Sequence, residues 1–490
     1  LVCCLAFISH SYLNRNIGPS SPNTTAPVLP VPLSSPRAWK PRPLGGFWIL
    51  RGQSYDLGPF IHHHPGGARY LLNTFNTDIT ELFESHHVGT TADKMLSKFR
   101  VEGVPALRMS EAHHPNARYE GLKRAIRERF DLDDLKEPTS EYTALFVGTL
   151  ALYAGSYASC ISSHTAAPAL AAHASLGVAI AWLGGFAHNG LHLWPRRRVE
   201  TLGMYLSLSN NPFRWMYAHV VSHHMHTNTE IDQDKKAVPD FRRWRRSNRP
   251  LFVLGMLYGP FIIGVEGMFR TRGTVSTSPS MTLAEQSAAG VFFLLANALG
   301  IWKQGRRWLP HMALTFAIGS FYSFVLFQVS HLQTTALDGD GIRSSTADWG
   351  EFQLRTTFGW ASEARPLHCL PWLFLNLQPS HHLFPAVHHS KLALLVPLIR
   401  EHYPGLMEDH TVRQLVVGMF EVLQGTPPPS QELSPRSRCA PPGVSVQECE
   451  AQGCVFDNGH WPRSRQPWCF YPSNGGALAP VGHGSPNMPL

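Results

Sequence analysis

The sequence predicts a multidomain chain: a small α+β domain, then an α-helical membrane domain with about four transmembrane helices, then a small tail of the disulfide-linked type. Charged residues make up only 16% of the 490 residues, whereas about 25% is usual in soluble domains. No Asp, Glu, Lys or Arg lies between Glu141 and Arg196. This interval has room for two membrane-spanning helices of about 20 residues each. The 27 histidines indicate metal chemistry, because neutral imidazole is the commonest metal ligand.

The positive charge of the chain does not predict nucleic-acid binding. The net charge is +8, but much of it lies in short runs beside apolar segments, at Arg196–Arg198 and Arg242–Arg246. Such placement fits the anionic face of a membrane. We therefore expect a membrane and no nucleic acid among the partners.

The first 105 residues divide into two parts. Residues 1–44 are rich in Pro and Ser and have no helical period, which predicts disorder. Residues 45–105 open with a strand, a turn and a strand over Phe47–Leu57. Short helical segments follow near 68–72, 80–87 and 92–96, which predicts a small α+β domain.

This α+β domain contains a recognisable histidine motif. His64 opens His-Pro-Gly-Gly, Tyr55-Asp56 precedes it, and Phe83 stands four residues before His87. These motifs resemble the cytochrome b5 haem domain. The resemblance implies that His64 and His87 hold haem b from opposite faces, with His86 as a competing second ligand. Two imidazoles saturate the iron and make an electron carrier.

The long apolar segments follow a linker. Residues 106–140 predict a polar linker with an amphipathic helix from Tyr119 to Leu132, and residues 141–425 predict the membrane domain. Spans are expected near 142–163, 167–186, 286–302 and 308–330. The shorter stretch Leu251–Val265, interrupted by Pro260, predicts an interfacial helix. Four spans in two hairpins place both ends of the chain on one side of the membrane.

Three histidine clusters and one further histidine lie at the ends of these spans. Residues four apart share a face of a helix, so the histidine pairs in the first two clusters point together. Imidazole-rich surroundings without thiolates suit iron in oxygen activation, although the spacing alone leaves zinc and copper open. The candidate catalytic residues are His188, His192, His219, His223, His224, His331, Gln378, His381 and His382, and all of these except Gln378 are candidate metal ligands.

The clusters resemble the histidine boxes of membrane fatty acyl desaturases. Gln378 in the third box, together with the amino-terminal haem domain, resembles the front-end branch, which includes acyl and sphingoid-base desaturases. The resemblance implies a diiron centre, O2 as cosubstrate, and an acyl lipid or acyl-CoA substrate. Asn189 stands where this family commonly has an aspartate, Pro379-Ser380 replaces a branched and acidic pair, and His226 is an additional histidine, interpreted as a bystander.

The carboxyl-terminal tail contains four clustered cysteines. Residues 438–475, between the linker 426–437 and the end segment 476–490, resemble a trefoil (P-type) module. The resemblance implies the pairs Cys439–Cys454 and Cys449–Cys469, with a third bridge missing. Disulfides need an oxidising compartment, whereas four spans return this tail to the side of the haem domain. The sequence leaves open a different span count, a reduced tail or a fused gene model.

The sequence therefore predicts a lipid desaturase in the endoplasmic reticulum membrane, multi-pass, with haem domain and histidine boxes on the cytosolic face. No Gly-x-Gly-x-x-Gly fingerprint is present, so electrons are expected from a separate NAD(P)H-dependent cytochrome b5 reductase. A sphingoid-base desaturase or a lipid hydroxylase with the same boxes is an alternative. A non-catalytic haem membrane protein is another, although every box histidine is present.

Overall fold

The computed structural model describes residues 47–75, 77–101, 117–207, 211–229, 232, 234, 254–255, 257–259, 261, 283–346, 348–424, 455–456 and 469–470. The predicted disordered segment 1–44, the basic run Arg242–Arg246 and most of the expected interfacial helix Leu251–Val265 lie outside the described residues.

The amino-terminal domain begins with an antiparallel hairpin of β1 (Trp48–Leu50) and β2 (Gln53–Tyr55). Its two turn residues, Arg51 and Gly52, have φ angles of 51° and 72°. Two successive positive φ angles are typical of the type I′ turn that a two-residue hairpin loop favours. The strand–turn–strand prediction for this segment is therefore confirmed.

Three short helices pack against this hairpin: α1 (Ala68–Asn73), α2 (Thr80–His86) and α3 (Thr91–Leu96). The shared core contains Trp48, Leu50, Ile61, Leu71 and Phe83. The indole N–H of Trp48 donates to the carbonyl oxygen of Leu71 at 3.1 Å, so the one polar group of this buried ring is satisfied.

The described remainder of the chain up to residue 424 is helical. Its helices, in chain order, are α4 (Ala117–Arg129), α5 (Ser140–Ser162), α6 (Ala166–His192), α7 (Leu202–Leu206), α8 (Pro212–Met216), α9 (His224–His226), α10 (Leu283–Gln304), α11 (Trp308–Val329), α12 (Gly339–Ser345), α13 (Trp349–Thr356), α14 (Pro366–Cys369), α15 (Gln378–Leu383), α16 (Val396–His402) and α17 (Val412–Gln424). A π-helix, Tyr217–His223, joins α8 to α9. Short 3-10 turns occupy Gly58–His63, Ser97–Phe99, Asp134–Lys136, Gly305–Arg307, Leu370–Trp372, Leu375–Leu377 and His389–Leu395.

Among the described residues, three helical runs are long and apolar enough to cross a membrane: Asp134–Ser162, Ala166–His192 and Ser287–Val329. The third run has 43 residues and includes most of α10 and all of α11. These two helices fold back on each other. The indole N–H of Trp308 in α11 donates to the side-chain oxygen of Asn297 in α10 at 3.1 Å. Each of the four predicted apolar segments therefore lies in a helix.

Helices α6 and α11 pack closely through two glycines. A methyl group on Gly177 would lie 2.7 Å from the carbonyl oxygen of Thr315, and one on Gly319 would lie 3.0 Å from the carbonyl oxygen of Gly177. Small residues at such a crossing let two membrane helices approach each other closely. The crossing brings the carboxyl-terminal ends of both helices, where His192 and His331 lie, toward the same region.

The helices after α11 form a cap at that end. Leu383, Phe384, Ile399 and Tyr403 are fully or almost fully buried in one apolar cluster. The amphipathic helix α4 adds its apolar face to the same cluster through Tyr119, Leu122 and Ile126. The amphipathic segment predicted from the sequence is thus a helix, and its buried face belongs to the cap.

The amino-terminal domain is docked on this cap through buried charges. Lys123 of α4 forms an ion pair with Glu84 of α2, and both side chains are only 3% exposed. Arg343 of α12 forms an ion pair with Glu81 of α2 at 2.6 Å. The hydroxyl of Tyr70 donates to the carbonyl oxygens of Leu191 and His192, each at 3.2 Å. The domain is therefore fixed at the end of α6.

Little of the carboxyl-terminal tail lies within the described residues. β3 (Val455–Phe456) pairs antiparallel with β4 (Cys469–Phe470). Cys439, Cys449 and Cys454 lie outside the described residues, and so do both implied disulfide bridges. The described free cysteines, Cys160 and Cys369, are buried in the membrane domain.

The ion pair between Lys123 and Glu84 makes a prediction about stability. Removing one partner of a buried pair costs about 3–5 kcal/mol. We expect Lys123→Met to cost somewhat less, about 2–4 kcal/mol, because Arg51 remains beside Glu84. The melting temperature of the detergent-solubilised protein, followed by circular dichroism, should fall by several degrees.

The matched control for this prediction is Lys136→Met. Lys136 pairs with Asp133 at 3.2 Å, and the Asp133 side chain is 74% exposed. An exposed pair contributes at most about 1 kcal/mol. Equal melting temperatures for the two variants would contradict the docking role of Lys123.

Candidate metal and haem centres

The first histidine cluster lies on the last turn of α6. His188 and His192 are four residues apart, and their ring centroids are 5.0 Å apart. Both side chains are buried. Their arrangement on one face agrees with the spacing argument from the sequence.

The second cluster does not lie on a regular α-helix. Its first two histidines belong to the π-helix Tyr217–His223, whose i→i+5 hydrogen bonds widen each turn. Residues four and five apart then share a face. This explains how His219 faces both His223 and His224, at ring-centroid distances of 5.0 Å and 4.9 Å.

Five histidines from all three clusters converge in a first set. One ligand atom from each lies within 4.8 Å of those of the others. The Nε2 atom of His219 is 3.0 Å from that of His188 and 3.3 Å from that of His224. Nitrogens that share one ion at about 2 Å lie about 3 Å apart. The members of this set are His188, His192, His219, His224 and His381.

A second set adjoins the first. The ligand atoms of His223, His331 and His382 lie within 4.8 Å of one another. The side-chain nitrogen of Gln378 is 3.2 Å from Nε2 of His331, so the glutamine of the third box lies beside this set. The structure thus brings together all nine predicted residues of the boxes, including His331.

Several of these imidazoles are oriented by a hydrogen-bond partner behind the ring. Nδ1 of His219 lies 2.5 Å from the carboxylate of Asp234, and Nδ1 of His223 lies 2.9 Å from that of Asp232. Nδ1 of His382 donates to the side-chain oxygen of Gln353 at 2.9 Å. Each contact leaves Nε2 facing the set. Partners of this kind fix the tautomer and orientation of metal-binding histidines.

The two aspartates are functional candidates that the sequence reasoning missed. They follow the second box in Asp232-Gln233-Asp234, and this pair of carboxylates close to a histidine cluster is the signal that could have identified them. Asn189, which stands at a position where the resemblance leads one to expect an aspartate, donates to Glu200 at 2.6 Å. The carboxylates behind the ligands therefore come from another segment.

His389 is a further residue that the sequence reasoning missed. It is buried, and its ring lies 4.8 Å from those of both His188 and His381. Its backbone N–H donates to the side-chain oxygen of Asn189 at 3.0 Å. His226, by contrast, lies in neither set and contacts Arg343 at 3.1 Å.

The electrostatics of the two sets fit metal binding. Burial lowers the pKa of His224, His381 and His382 well below the usual range, so these rings are neutral near pH 7. Burial opposes protonation of His223 as well, but Asp232 outweighs it and raises that pKa. Buried ring nitrogens without a hydrogen-bond partner among the described residues include Nε2 of His223 and of His382, and both nitrogens of His192 and His381.

These nitrogens are the test of whether a metal fits. A buried polar atom without a partner costs about 1–3 kcal/mol, so several at one point need a common partner. A cation shared by converging imidazole lone pairs meets that need. The donor set therefore fits metal held mainly by nitrogen, and imidazole ligands suit iron as they suit zinc and copper.

The amino-terminal domain places His64 and His87 opposite each other, with an angle of 58° between their ring planes. Their ring centroids are 6.2 Å apart, a distance that two metal–nitrogen bonds of about 2 Å and the two ring radii together fill. Nδ1 of His64 lies 3.0 Å from the carbonyl oxygen of Gly67, and Nδ1 of His87 lies 2.9 Å from that of Phe83. Both rings therefore carry the proton on Nδ1 and have Nε2 available for an iron.

The Pro-Gly-Gly turn makes room for the first of these rings. A methyl group on Gly66 would lie 2.8 Å from the His64 ring. Gly67 has a φ angle of 87°, which side chains rarely adopt, and this conformation presents its carbonyl oxygen to His64. Gly66 and Gly67 thus position the ring of His64.

His86 is oriented away from this pair. Its ring lies 5.7 Å from that of Tyr70 and 6.4 Å from that of His192 in the first set. The position opposite His64 is taken by His87. The geometry therefore favours His87 over His86 as the partner of His64 in holding a haem.

Comparison with protein families gives three matches along the chain. Residues 164–412 match the fatty acid desaturase family. Residues 43–104 match the cytochrome b5-like heme/steroid binding domain, and residues 430–472 match the trefoil (P-type) domain. The resemblances inferred from the motifs are confirmed for all three segments.

Curated relatives cover most of the same length. A cytochrome b5-related protein of Drosophila melanogaster is 27% identical over 72% of this chain and 81% of its own. A probable Delta(5) fatty acid desaturase C of Dictyostelium discoideum is 26% identical over 73% of this chain and 85% of its own. An acyl-lipid (8-3)-desaturase of Mortierella alpina is 25% identical over 74% of this chain and 90% of its own.

The match from residue 164 to residue 412 spans just over half of the chain and includes every residue of both histidine sets. The protein therefore belongs to the fatty acid desaturase family and carries a cytochrome b5-like domain fused at its amino-terminal side.

Proposed function

We propose that the protein is an O2-dependent diiron lipid desaturase of the front-end type, which introduces a double bond into an acyl chain with electrons delivered through its own haem domain. The observation that carries this proposal is the convergence of eight buried imidazoles in two adjoining sets at the end of the apolar helices. Desaturase relatives with matching length support the reaction class.

The histidine sets would hold the two iron ions. His188, His192, His219, His224 and His381 would bind one ion, and His223, His331 and His382, with Gln378 beside them, would bind the other. Such an iron pair, when bound, supplies the reduction of O2 and the removal of two hydrogen atoms from adjacent carbons. The chain's own residues orient the imidazoles through Asp232 and Asp234, and burial keeps bulk water from the site.

The haem domain would deliver the electrons. His64 and His87 would bind haem b from opposite faces, and two imidazoles leave no open position on the iron, so the haem carries electrons without binding O2. A separate NAD(P)H-dependent cytochrome b5 reductase would supply these electrons. Burial lowers the pKa of His87 to about 4, so its ring is neutral and able to bind iron throughout the physiological range.

The relatives and the apolar helices support the proposed substrate class and a membrane location. An acyl-lipid (8-3)-desaturase and a probable Delta(5) desaturase among the relatives support an acyl lipid or acyl-CoA substrate. We propose the endoplasmic reticulum membrane, with the haem domain and both histidine sets on the cytosolic face. The basic run Arg196–Arg198, which directly follows α6, supports that side by the positive-inside rule.

The reaction class predicts a new product in a heterologous host. Yeast that expresses the full chain and is fed polyunsaturated fatty acids should accumulate an acid with one additional double bond. Gas chromatography with mass spectrometry of the total lipids measures it. New unsaturated sphingoid bases or hydroxylated acids would instead support the alternative substrate or reaction, and an unchanged lipid profile would favour a non-catalytic haem protein.

Replacing a proposed metal ligand tests the diiron centre in the same yeast assay. Loss of the hydrogen-bond partner behind a metal ligand costs up to about 100-fold in activity. Loss of the ligand itself should cost more, so we expect His382→Ala to lower the product by more than about 100-fold. The haem absorbance should be unchanged, because His382 lies outside the haem domain. Gln378→His should retain some activity, because imidazole can replace a weak or water-bridged ligand. Full activity of His382→Ala would contradict the diiron proposal.

The haem ligands make a spectroscopic prediction. The purified full chain should show a six-coordinate, low-spin haem. His87→Ala should convert it to high-spin or lose the haem, whereas His86→Ala should keep the low-spin spectrum, because only His87 faces His64. The opposite outcome in the absorption spectrum would assign the ligand to His86.

The carboxylate of Asp232, which contacts Nδ1 of His223, makes a prediction about iron affinity. Asp232→Asn keeps the shape but weakens the hold on Nδ1 of His223, and we expect a loss of about 10–100-fold in iron affinity. Iron retained after dialysis against a chelator measures it. Asp133→Asn, at an exposed position, is the control and should retain iron like the unmodified protein. Equal retention in both variants would remove Asp232 from the site.

A further inference from the structure

His86 occupies a position between the two proposed redox centres. It directly precedes His87 in the chain, and its ring lies 6.4 Å from that of His192, with an angle of 23° between the ring planes. Among the described residues, this is the one histidine–histidine ring contact that joins the haem domain to a metal set. Neither the haem site nor the metal sites described above uses His86.

The tautomer of His86 follows from its neighbours. Its Nδ1 lies 3.0 Å from the carbonyl oxygen of Leu82, which can only accept a hydrogen bond. The Ser85 hydroxyl is also 3.0 Å from Nδ1, but it donates its own proton to Leu82 at 3.1 Å and so can accept from Nδ1. The proton therefore lies on Nδ1, and Nε2 presents a lone pair. That Nε2 atom is buried and has no hydrogen-bond partner among the described residues.

His192 has the complementary need. A metal-bound histidine almost always donates its other ring N–H to an acceptor. Such partners are present for His219, His223 and His382. Among the described residues, both ring nitrogens of His192 lack one, and nitrogens of His188, His224 and His381 do so too, but His192 is the member whose ring contacts the haem domain. The neighbouring group with a spare lone pair is Nε2 of His86, from the other domain.

We propose that one water bridges the two rings: it accepts a hydrogen bond from the ring N–H of His192 that does not bind metal, and it donates one to Nε2 of His86. This contact is the path by which electrons pass from the haem to the first metal set. The inference rests on the proposed function. Each passage oxidises the haem iron from Fe2+ to Fe3+ and reduces one iron of the metal centre from Fe3+ to Fe2+. No covalent bond forms or breaks, and the NAD(P)H-dependent reductase restores the haem. His86 is a positioning residue, because it acts through His192.

Tyr70 provides the matched comparison. Its ring also lies between the centres, 6.4 Å from the ring of His64 and 5.7 Å from that of His86. Within the described part of the chain, its hydroxyl bonds only to backbone carbonyl oxygens across the interface. Tyr70→Phe thus weakens the docking contact and leaves both the aromatic ring and the His192 side chain in place.

The test is an electron-transfer measurement without O2 or lipid. The full chain, purified in detergent with haem and ferric iron, receives a short pulse of photoreductant, and the reoxidation of the haem is followed by absorbance. Protein loaded with zinc, which has no redox chemistry, gives the baseline. If the iron-loaded protein does not exceed this baseline, the electron route of the proposed function fails, whatever the role of His86.

Given transfer above the baseline, the variants test His86 itself. We expect His86→Phe to slow reoxidation at least about tenfold and Tyr70→Phe to stay within about twofold of the unmodified protein. His86→Gln, which keeps a side-chain acceptor, should recover most of the rate. The low-spin haem spectrum and the iron content should be the same in all of them.

Three results would overturn the inference. An unchanged rate in His86→Phe would exclude His86 from the path. An equal loss in Tyr70→Phe would assign the effect to domain docking. A rate in His86→Gln as low as that in His86→Phe would exclude the hydrogen bond to His192. If His86→Phe fails to bind haem, His86→Ala, which also removes the acceptor, replaces it in each of these comparisons.

Discussion

The burial of eight imidazoles at one point is the constraint on which the rest of this structure depends. Each buried ring nitrogen without a partner costs about 1–3 kcal/mol, so the folded state needs a shared partner for these lone pairs. The close crossing at Gly177 and Gly319 brings two helix ends to that point. The π-helix directs His219 and its neighbours to the same place. A π-helix is a rare local conformation, and the helix crossing tolerates only small residues. Both features are explained by the need to bring the histidines together.

The elements of this arrangement were predictable where the signal is local. Apolar length predicted the four long helices, because a helix end can be read from a short stretch of sequence. The histidine spacing and the resemblance to the desaturase boxes together predicted nine residues, His331 among them, that the fold brings together. Gln353 and His389 could not be assigned in this way. Their roles depend on where separate segments meet: Gln353, for example, reaches His382 across 29 residues of chain.

The docking of the haem domain could not be read from the sequence for a related reason. Glu84, Lys123 and Arg343 look like ordinary surface charges, and only the assembled fold shows that they pair across an interface. Buried ion pairs often add little net stability, but they penalise any arrangement that leaves one charge unpaired. We therefore interpret these pairs as fixing the orientation of the domain, which in turn brings the His86 side of the haem domain to the end of α6.

This fixed docking changes how the proposed enzyme depends on its surroundings. A carrier that diffuses must find its acceptor, so its delivery rate falls on dilution and with salt. A carrier in the same chain is present at a fixed ratio of one per site, and its effective concentration does not depend on how much protein the membrane contains. Other enzymes that draw on a shared pool of carrier cannot deplete it. Only the recharging of the haem then responds to supply, so that step alone couples the proposed lipid chemistry to the reducing state of the cell.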